Sequence, residues 1–178
     1  MPALADAAAR ARRVRLLLLD VDGVLTDGTF QIGADGEESK RFHSRDGLGI
    51  RLAQGEGIQI GLVTGRRSQA VARRAAELEI EEVHQGVRDK WDVVSAMLER
   101  LALTPEHVAF VGDDLVDLPT MRRSGLAVTV PEAPEPVRRR AHLVTVRPGG
   151  AGAVREVIEF ILEAQGRWSA ILSKYDSI

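Results

Sequence analysis

The sequence contains no cysteine. Disulfides, thiolate nucleophiles and cysteine-ligated zinc are therefore excluded. Aromatic residues make up only 4% of the 178 positions, too few for a base-stacking surface. Acidic and basic residues nearly balance, at a formal charge of −2, so neither nucleic acid nor an anionic membrane is expected as a partner. No apolar run reaches the length of a membrane span. The N-terminal MPALADAAARARRVR has no apolar core before a cleavage site, so a cytoplasmic protein is expected. Arg10, Arg12, Arg13 and Arg15 lack interleaved aromatics and read as the solvated face of an alanine-rich helix, not a nucleic-acid arm. What remains is ordinary: 44% hydrophobic and 28% charged residues, consistent with one domain over 1–178.

The most informative stretch is VRLLLLDVDGVLTDG (14–28). A continuous apolar run bounded by turn residues reads as a strand buried on both faces. Its C-terminal end carries Asp20 and Asp22, whose spacing on an extended chain points them to opposite sides. Two short extended segments follow at 29–43 around Asp35-Gly36, a hairpin signal placed where it could fold over the strand end or pair with a neighbouring subunit.

Strands and helices then alternate. Helix 45–57 is expected to start at an Asp46 N-cap, with Ile50, Leu52 and Ala53 inward and Gly55 and Gly57 at its end. Strand 58–66 ends in Thr64, Gly65 and Arg66. Helix 68–79, with Ser68 as cap, presents Val71, Ala75 and Leu78 to the core. Strand 81–86 leads to Asp89-Lys90 and a helix over about 90–102. Strand 107–114 ends in Asp113 and Asp114, a helix spans Leu118 to Arg123, and a strand covers 126–130. Pro131, Pro134 and Pro136 mark a loop and helix start, strand 142–146 follows, and Gly149-Gly150 precedes a helix over about 151–164. RWSAILSKYDSI, after Gly166, lacks a clear place and reads as a disordered end or a tail docked on another subunit. This alternation implies an α/β fold, a parallel sheet with helices on both faces.

In such a sheet the strand ends share one edge, where open α/β folds bind ligands. Asp20, Asp22, Thr64, Lys90, Asp113, Asp114 and Asp117 converge there. Crowded carboxylates need a cation, and an oxygen-only donor set favours Mg²⁺ over zinc. His43, His84, His107 and His142 show no metal-ligand spacing and read as structural, as do Trp91 and Phe110. The chemistry this group suits is phosphoryl transfer: a carboxylate attacks phosphorus, a second carboxyl group handles the proton, and lysine and hydroxyl groups hold the phosphoryl oxygens.

DVDGVLTDG, TGR, the downstream lysine and GDDLVD, in that order, resemble the haloacid dehalogenase-like phosphohydrolase superfamily. DGEESKRFHSRDGLGIR, TGRRSQAV, Gln85-Gly86, GDDLVDLPTM and GGAGAVREV narrow the resemblance to its small capless branch, the 3-deoxy-D-manno-octulosonate 8-phosphate phosphatases of lipopolysaccharide sugar synthesis. The resemblance implies a Rossmann-like sheet without a cap domain, Mg²⁺ as cofactor, an acidic sugar phosphate as substrate and a homotetramer in which hairpin and tail complete neighbouring sites. It makes Asp20 the nucleophile, Asp22 the general acid/base, and Asp20, Asp22 (through its carbonyl), Asp113 and Asp114 (through water) the metal ligands, with Asp117 in support. Thr64, Gly65 and Lys90 would bind the phosphoryl group, and Arg66, Arg67, Arg74 and possible helpers Lys40 and Arg45 the rest of the substrate. Asp27 is left as a turn residue. Ala151 stands where the resemblance leads one to expect arginine, and Glu79 where it leads one to expect glycine. Two alternatives stay open: a phosphatase for a nine-carbon acidic sugar 9-phosphate, and a non-catalytic regulator of sugar activation. A phospho-switch receiver is disfavoured by the intact Asp20/Asp22 pair.

Overall fold

A computed structural model describes residues 2–177. Helix α1 (Pro2–Ala11) leads into β1 (Leu16–Leu19), and the short antiparallel strands β2 (Gln31–Ile32) and β3 (Glu38–Ser39) form the expected hairpin. Gly36, in its turn, has φ +82°, which only glycine adopts freely. Then follow α2 (Ser44–Gly55), β4 (Gln59–Thr64), α3 (Gln69–Glu77), β5 (Glu82–Gln85), α4 (Lys90–Leu101) and β6 (Val108–Val111). The chain continues through α5 (Leu118–Met121), β7 (Leu126–Thr129), α6 (Glu135–Arg138), β8 (Leu143–Val144), α7 (Ala153–Ala164) and α8 (Trp168–Asp176). No described helix is long and apolar enough to cross a membrane.

Six strands form one parallel sheet in the order β5-β4-β1-β6-β7-β8, so β1 is central, hydrogen-bonded to β4 on one side and β6 on the other. The four consecutive leucines have a direct physical reason. Leu17 and Leu19 face one layer, with Ile50, Ala53, Val154, Val157 and Ile161. Leu16 and Leu18 face the other, with Val94, Met97, Met121 and Val137. All four are fully buried, each contributing roughly 1.5–3 kcal/mol over exposure.

Three expectations are corrected. Asp46 is not the N-cap of α2; His43 holds that position, its Nδ1 accepting from the Arg45 N–H at 3.3 Å. Asp46 instead lies buried in the first turn and accepts the Arg155 N–H at 2.8 Å, so a side chain of α2 caps α7. The tail is neither disordered nor without a place over 168–176. It is helix α8, whose Ile171 is buried in the core, while the Arg167 guanidinium at its start reaches the Glu56 carbonyl at 2.6 Å. Finally, the helix expected at Leu118–Arg123 is shorter and is preceded by a one-turn 3-10 helix at Leu115–Asp117. Glu79 has φ +54°, the left-handed conformation that explains a glycine expected at that helix end.

Candidate active site

Parallel order puts the C-terminal ends of β1, β4 and β6 on one edge, and the chain leaves β1 toward opposite neighbours there, the crevice such sheets use for ligands. Asp20 directly follows β1, Thr64 ends β4, and Asp113 lies two residues past β6. Lys90 begins α4, whose start is fixed by Asp89 accepting the Trp91 N–H at 2.9 Å.

The buried centre is a lysine between two carboxylates. Lys90 Nζ lies 2.8 Å from Asp20 Oδ2 and 2.6 Å from Asp117 Oδ1. The second Asp117 oxygen accepts the N–H groups of Asp113 and Asp114 at 3.0 and 3.1 Å. Asp117 is therefore fully used and locks the loop after β6. Asp20 Oδ1 accepts the Val21 N–H at 2.7 Å, which sets the orientation of its carboxylate.

Gly23, at φ +84°, lets the chain turn under Asp113: a Cβ there would lie 2.0 Å from Asp113 Oδ2. The turn is braced from behind. Gly150 donates to the Val24 carbonyl at 3.0 Å, and a Cβ on Gly149 would fall 1.9 Å from the Gly23 carbonyl oxygen. The diglycine before α7 thus exists so that two backbones can touch.

The electrostatics favour a cation. Burial pushes the Asp20 carboxyl up to about 6; Lys90 opposes this and the nearby Asp117 charge adds to it. Burial, then repulsion from Asp20, Asp117 and Asp114, pushes Asp113 up to about 7. Burial works against the charge on Lys90, but Asp20 and Asp117 outweigh it and raise its pKa. Asp20, Asp113 and Asp117 each bring an oxygen within 4.8 Å of the others. Asp117 is fully buried and does not line the cleft, whereas Asp20 and Asp113 do; these two are the carboxylates that would face an ion, and such a donor set fits Mg²⁺.

Residues 48–125 match the family model for haloacid dehalogenase-like hydrolases. The chain is 48% identical over 166 residues to 3-deoxy-D-manno-octulosonate 8-phosphate phosphatase KdsC of Escherichia coli K12, covering 93% of this chain and 88% of that protein. The chain belongs to the haloacid dehalogenase-like hydrolases, among the 3-deoxy-D-manno-octulosonate 8-phosphate phosphatases. The crystal structure of that phosphatase from Yersinia pestis superposes with a TM-score of 0.91 at 44% identity, over 92% of this chain and 89% of that one. The enzyme from Moraxella catarrhalis, in complex with magnesium, phosphate and a KDO molecule, gives 0.93 at 38% identity, over 95% and 97% of the two chains.

The family's motif residues meet in one cleft of about 390 Å³, lined by Asp20, Asp22, Thr64, Gly65, Arg66, Lys90, Asp113 and Asp114. Asp22 points away from the buried centre, toward the hairpin. Its Oδ1 accepts from Lys40, whose side chain is fully buried, and its Oδ2 lies 3.8 Å from Arg66 Nε. Asp114 lines the cleft, but its Oδ1 accepts the Leu115 N–H at 2.7 Å and caps the one-turn helix.

The structure does not bring Arg67 or Arg74 to the cleft as expected. Arg67 packs on Gly86, where a Cβ would meet its Nε at 2.5 Å. Arg74 pairs with Glu77 at 2.8 Å and lies beside Phe42. Arg45 lines a different cavity, with Leu48 and Val146. Asp27 is a turn residue, accepting from the Thr29 N–H and hydroxyl at 3.0 and 2.6 Å.

Sequence reasoning missed Arg88 and Val116 in the cleft lining, and Phe30 and Glu38 of the hairpin. The signal for Arg88 was its place two residues before Lys90. The motif Gln85-Gly86 acquires a role: Gln85 Oε1 accepts the Ser68 N–H at 2.7 Å, and Gly86 N–H bonds the Arg66 carbonyl at 3.1 Å. Together they hold the Thr64–Ser68 loop against β5.

Proposed function

We propose that this protein is a Mg²⁺-dependent phosphatase that hydrolyses 3-deoxy-D-manno-octulosonate 8-phosphate to the free sugar acid and phosphate. The observation that carries the reading is the 48% identity to KdsC over 93% of the chain, joined to the buried Asp20–Lys90–Asp117 group beside Asp113. Asp20 attacks phosphorus, the bond to the sugar oxygen breaks, and Asp22 as a carboxylic acid gives that oxygen its proton. Asp22 then takes a proton from water, whose oxygen displaces Asp20 from the aspartyl-phosphate and frees phosphate. Lys90 and the Thr64 hydroxyl hold the phosphoryl oxygens, with the Gly65 N–H beside them. Asp20 and Asp113, with the Asp22 carbonyl and Asp114 through water, would hold Mg²⁺, which neutralises phosphoryl charge when bound. Arg66 receives the substrate carboxylate, since a guanidinium matches it bidentately.

A cytoplasmic homotetramer belongs to the same proposal. In it the hairpin and α8 close the cleft left open by the lack of a cap. The position of α8 supports a role toward a neighbour. It packs at the end of α2 that leads into the start of β4, on the sheet edge opposite its own cleft.

Phosphate release should be measured on the eight-carbon acid 8-phosphate beside a nine-carbon acidic sugar 9-phosphate, with and without Mg²⁺. The expected result is Mg²⁺-dependent turnover that prefers the eight-carbon acid. A large preference for the nine-carbon ester overturns the substrate assignment.

The shifted carboxyls add a pH prediction. Asp20 at about 6 and Asp113 at about 7 both stand above the unfolded carboxylate value, near 4. The folded, cation-free cluster therefore binds more protons than the unfolded chain in that interval. The contribution of these two groups to stability is full below pH about 4 and is lost as pH rises through about 6 to 7. Mg²⁺ should accordingly raise the melting temperature, measured against a chelator control, more at pH 8 than at pH 5. An equal shift at both values would show that these carboxyls do not hold the ion.

A further inference from the structure

Arg66, the guanidinium at the cleft mouth, already holds a carboxylate. Its Nη2 lies 2.7 Å from Glu38 Oε2 on β3, and its Cζ lies 4.0 Å from the ring centre of Phe30 in the same hairpin. The fit is one-sided. The other Glu38 oxygen is buried without a hydrogen-bond partner, 3.5 Å from Lys40 Nζ. Lys40 directs its hydrogen bond to Asp22 and meets Glu38 only as an ion pair. Glu38 thus occupies the position where a substrate carboxylate would sit, with one oxygen hydrogen-bonded and the other paired by charge alone.

We propose that Glu38 is a specificity-determining residue: its carboxylate occupies Arg66 until a substrate carboxylate displaces it. The inference rests on the phosphatase reading above and on Arg66 receiving the substrate acid. An acidic sugar phosphate replaces one carboxylate by another, and it can accept both guanidinium N–H groups where Glu38 accepts one. The displaced Glu38 sits on a largely exposed hairpin and regains water. A phosphate ester without a carboxylate has nothing to offer in exchange, so it binds with the Glu38–Arg66 pair in place. The Arg66 contact also holds the Glu38 carboxyl below the usual carboxylate range, so it stays charged and competes at neutral pH.

The test is steady-state kinetics on the Mg²⁺-loaded wild type, Glu38→Gln and Glu38→Ala. The substrates are 3-deoxy-D-manno-octulosonate 8-phosphate and a neutral aldopentose 5-phosphate, and melting curves check the fold. Removing a competitor that holds Arg66 most of the time should lower KM for the acid about three- to tenfold. The kcat for the acid and the KM for the neutral ester should not move. An acid KM that is unchanged or raised in both variants overturns the inference. So does an equal fall in KM for both esters, which would make the hairpin a lid indifferent to charge. A wild type without preference for the acid overturns the assignment of Arg66 to the substrate carboxylate, and this inference with it. A selective wild type with unresponsive variants overturns the inference alone.

Discussion

Asp20→Asn should abolish phosphate release, lowering kcat by about 10⁴-fold or more, while the protein stays folded. An amide oxygen is a poor nucleophile, and nothing near Asp20 can take its place. Asp113 is held past β6 against Gly23, and Asp117 is fully buried outside the cleft lining. Stability should change little, because two effects oppose each other. The amide still accepts the Val21 N–H, now made at 2.7 Å, but it forfeits the ion pair to Lys90. In return the cluster loses a desolvated carboxylate that burial has pushed up to about 6. The measurement pairs phosphate release under saturating substrate with a melting curve. Turnover retained within tenfold of wild type would remove Asp20 as the nucleophile and favour a role limited to holding the cation.

How much of this was legible beforehand divides along a physical line. Strand ends could be read because a buried parallel strand leaves a period-free apolar run that stops abruptly at chemistry. Leu16–Leu19 before Asp20 and Val108–Val111 before Asp113 are such cases. Lys90 could be placed because it stands at the start of the helical pattern that follows the 81–86 strand. Contacts decided by distant packing were not legible. Asp46 resembles an N-cap, and it does cap a helix, but α7 instead of its own. Nothing local records that choice. Of Arg66, Arg67 and Arg74, Arg66 could be placed first because it directly follows Thr64-Gly65, and it alone of the three reaches the cleft; why the other two do not was not legible. The Gln85-Gly86 turn holds the Thr64–Ser68 loop so that Arg67 lies on Gly86, and helix α3 carries Arg74 to Phe42 and Glu77. The diglycine at 149–150 was visible as the step before a helix. Its contact with Gly23, across more than a hundred residues, was not.

Asp117→Ala carries the largest expected effect on stability, a loss of about 3 kcal/mol. The side chain is fully buried and satisfies three donors: the Lys90 ammonium and the N–H groups of Asp113 and Asp114. Truncation orphans the two N–H groups and leaves Lys90 with Asp20 alone, and each buried unsatisfied donor costs about 1–3 kcal/mol. An opposing gain exists, because the Asp117 charge repels both Asp20 and Asp113. It offsets part of the loss, with Asp117 ranking behind burial among the causes of both shifts. At this chain length the melting temperature should fall by about 6–12 °C. Asp117→Asn is the sharper control: it keeps the volume, but its NH₂ must face either Lys90 or the two backbone donors. Denaturant unfolding of both variants should show a lower midpoint with an unchanged slope. Stability within about 1 kcal/mol of wild type would mean that water or Asp113 replaces Asp117, and that the loop after β6 is held by something other than this carboxylate. If the loss is as expected, phosphate release should fall with it, because Lys90 then keeps only Asp20 as its anchor and the Asp113 backbone loses the acceptor that fixes it.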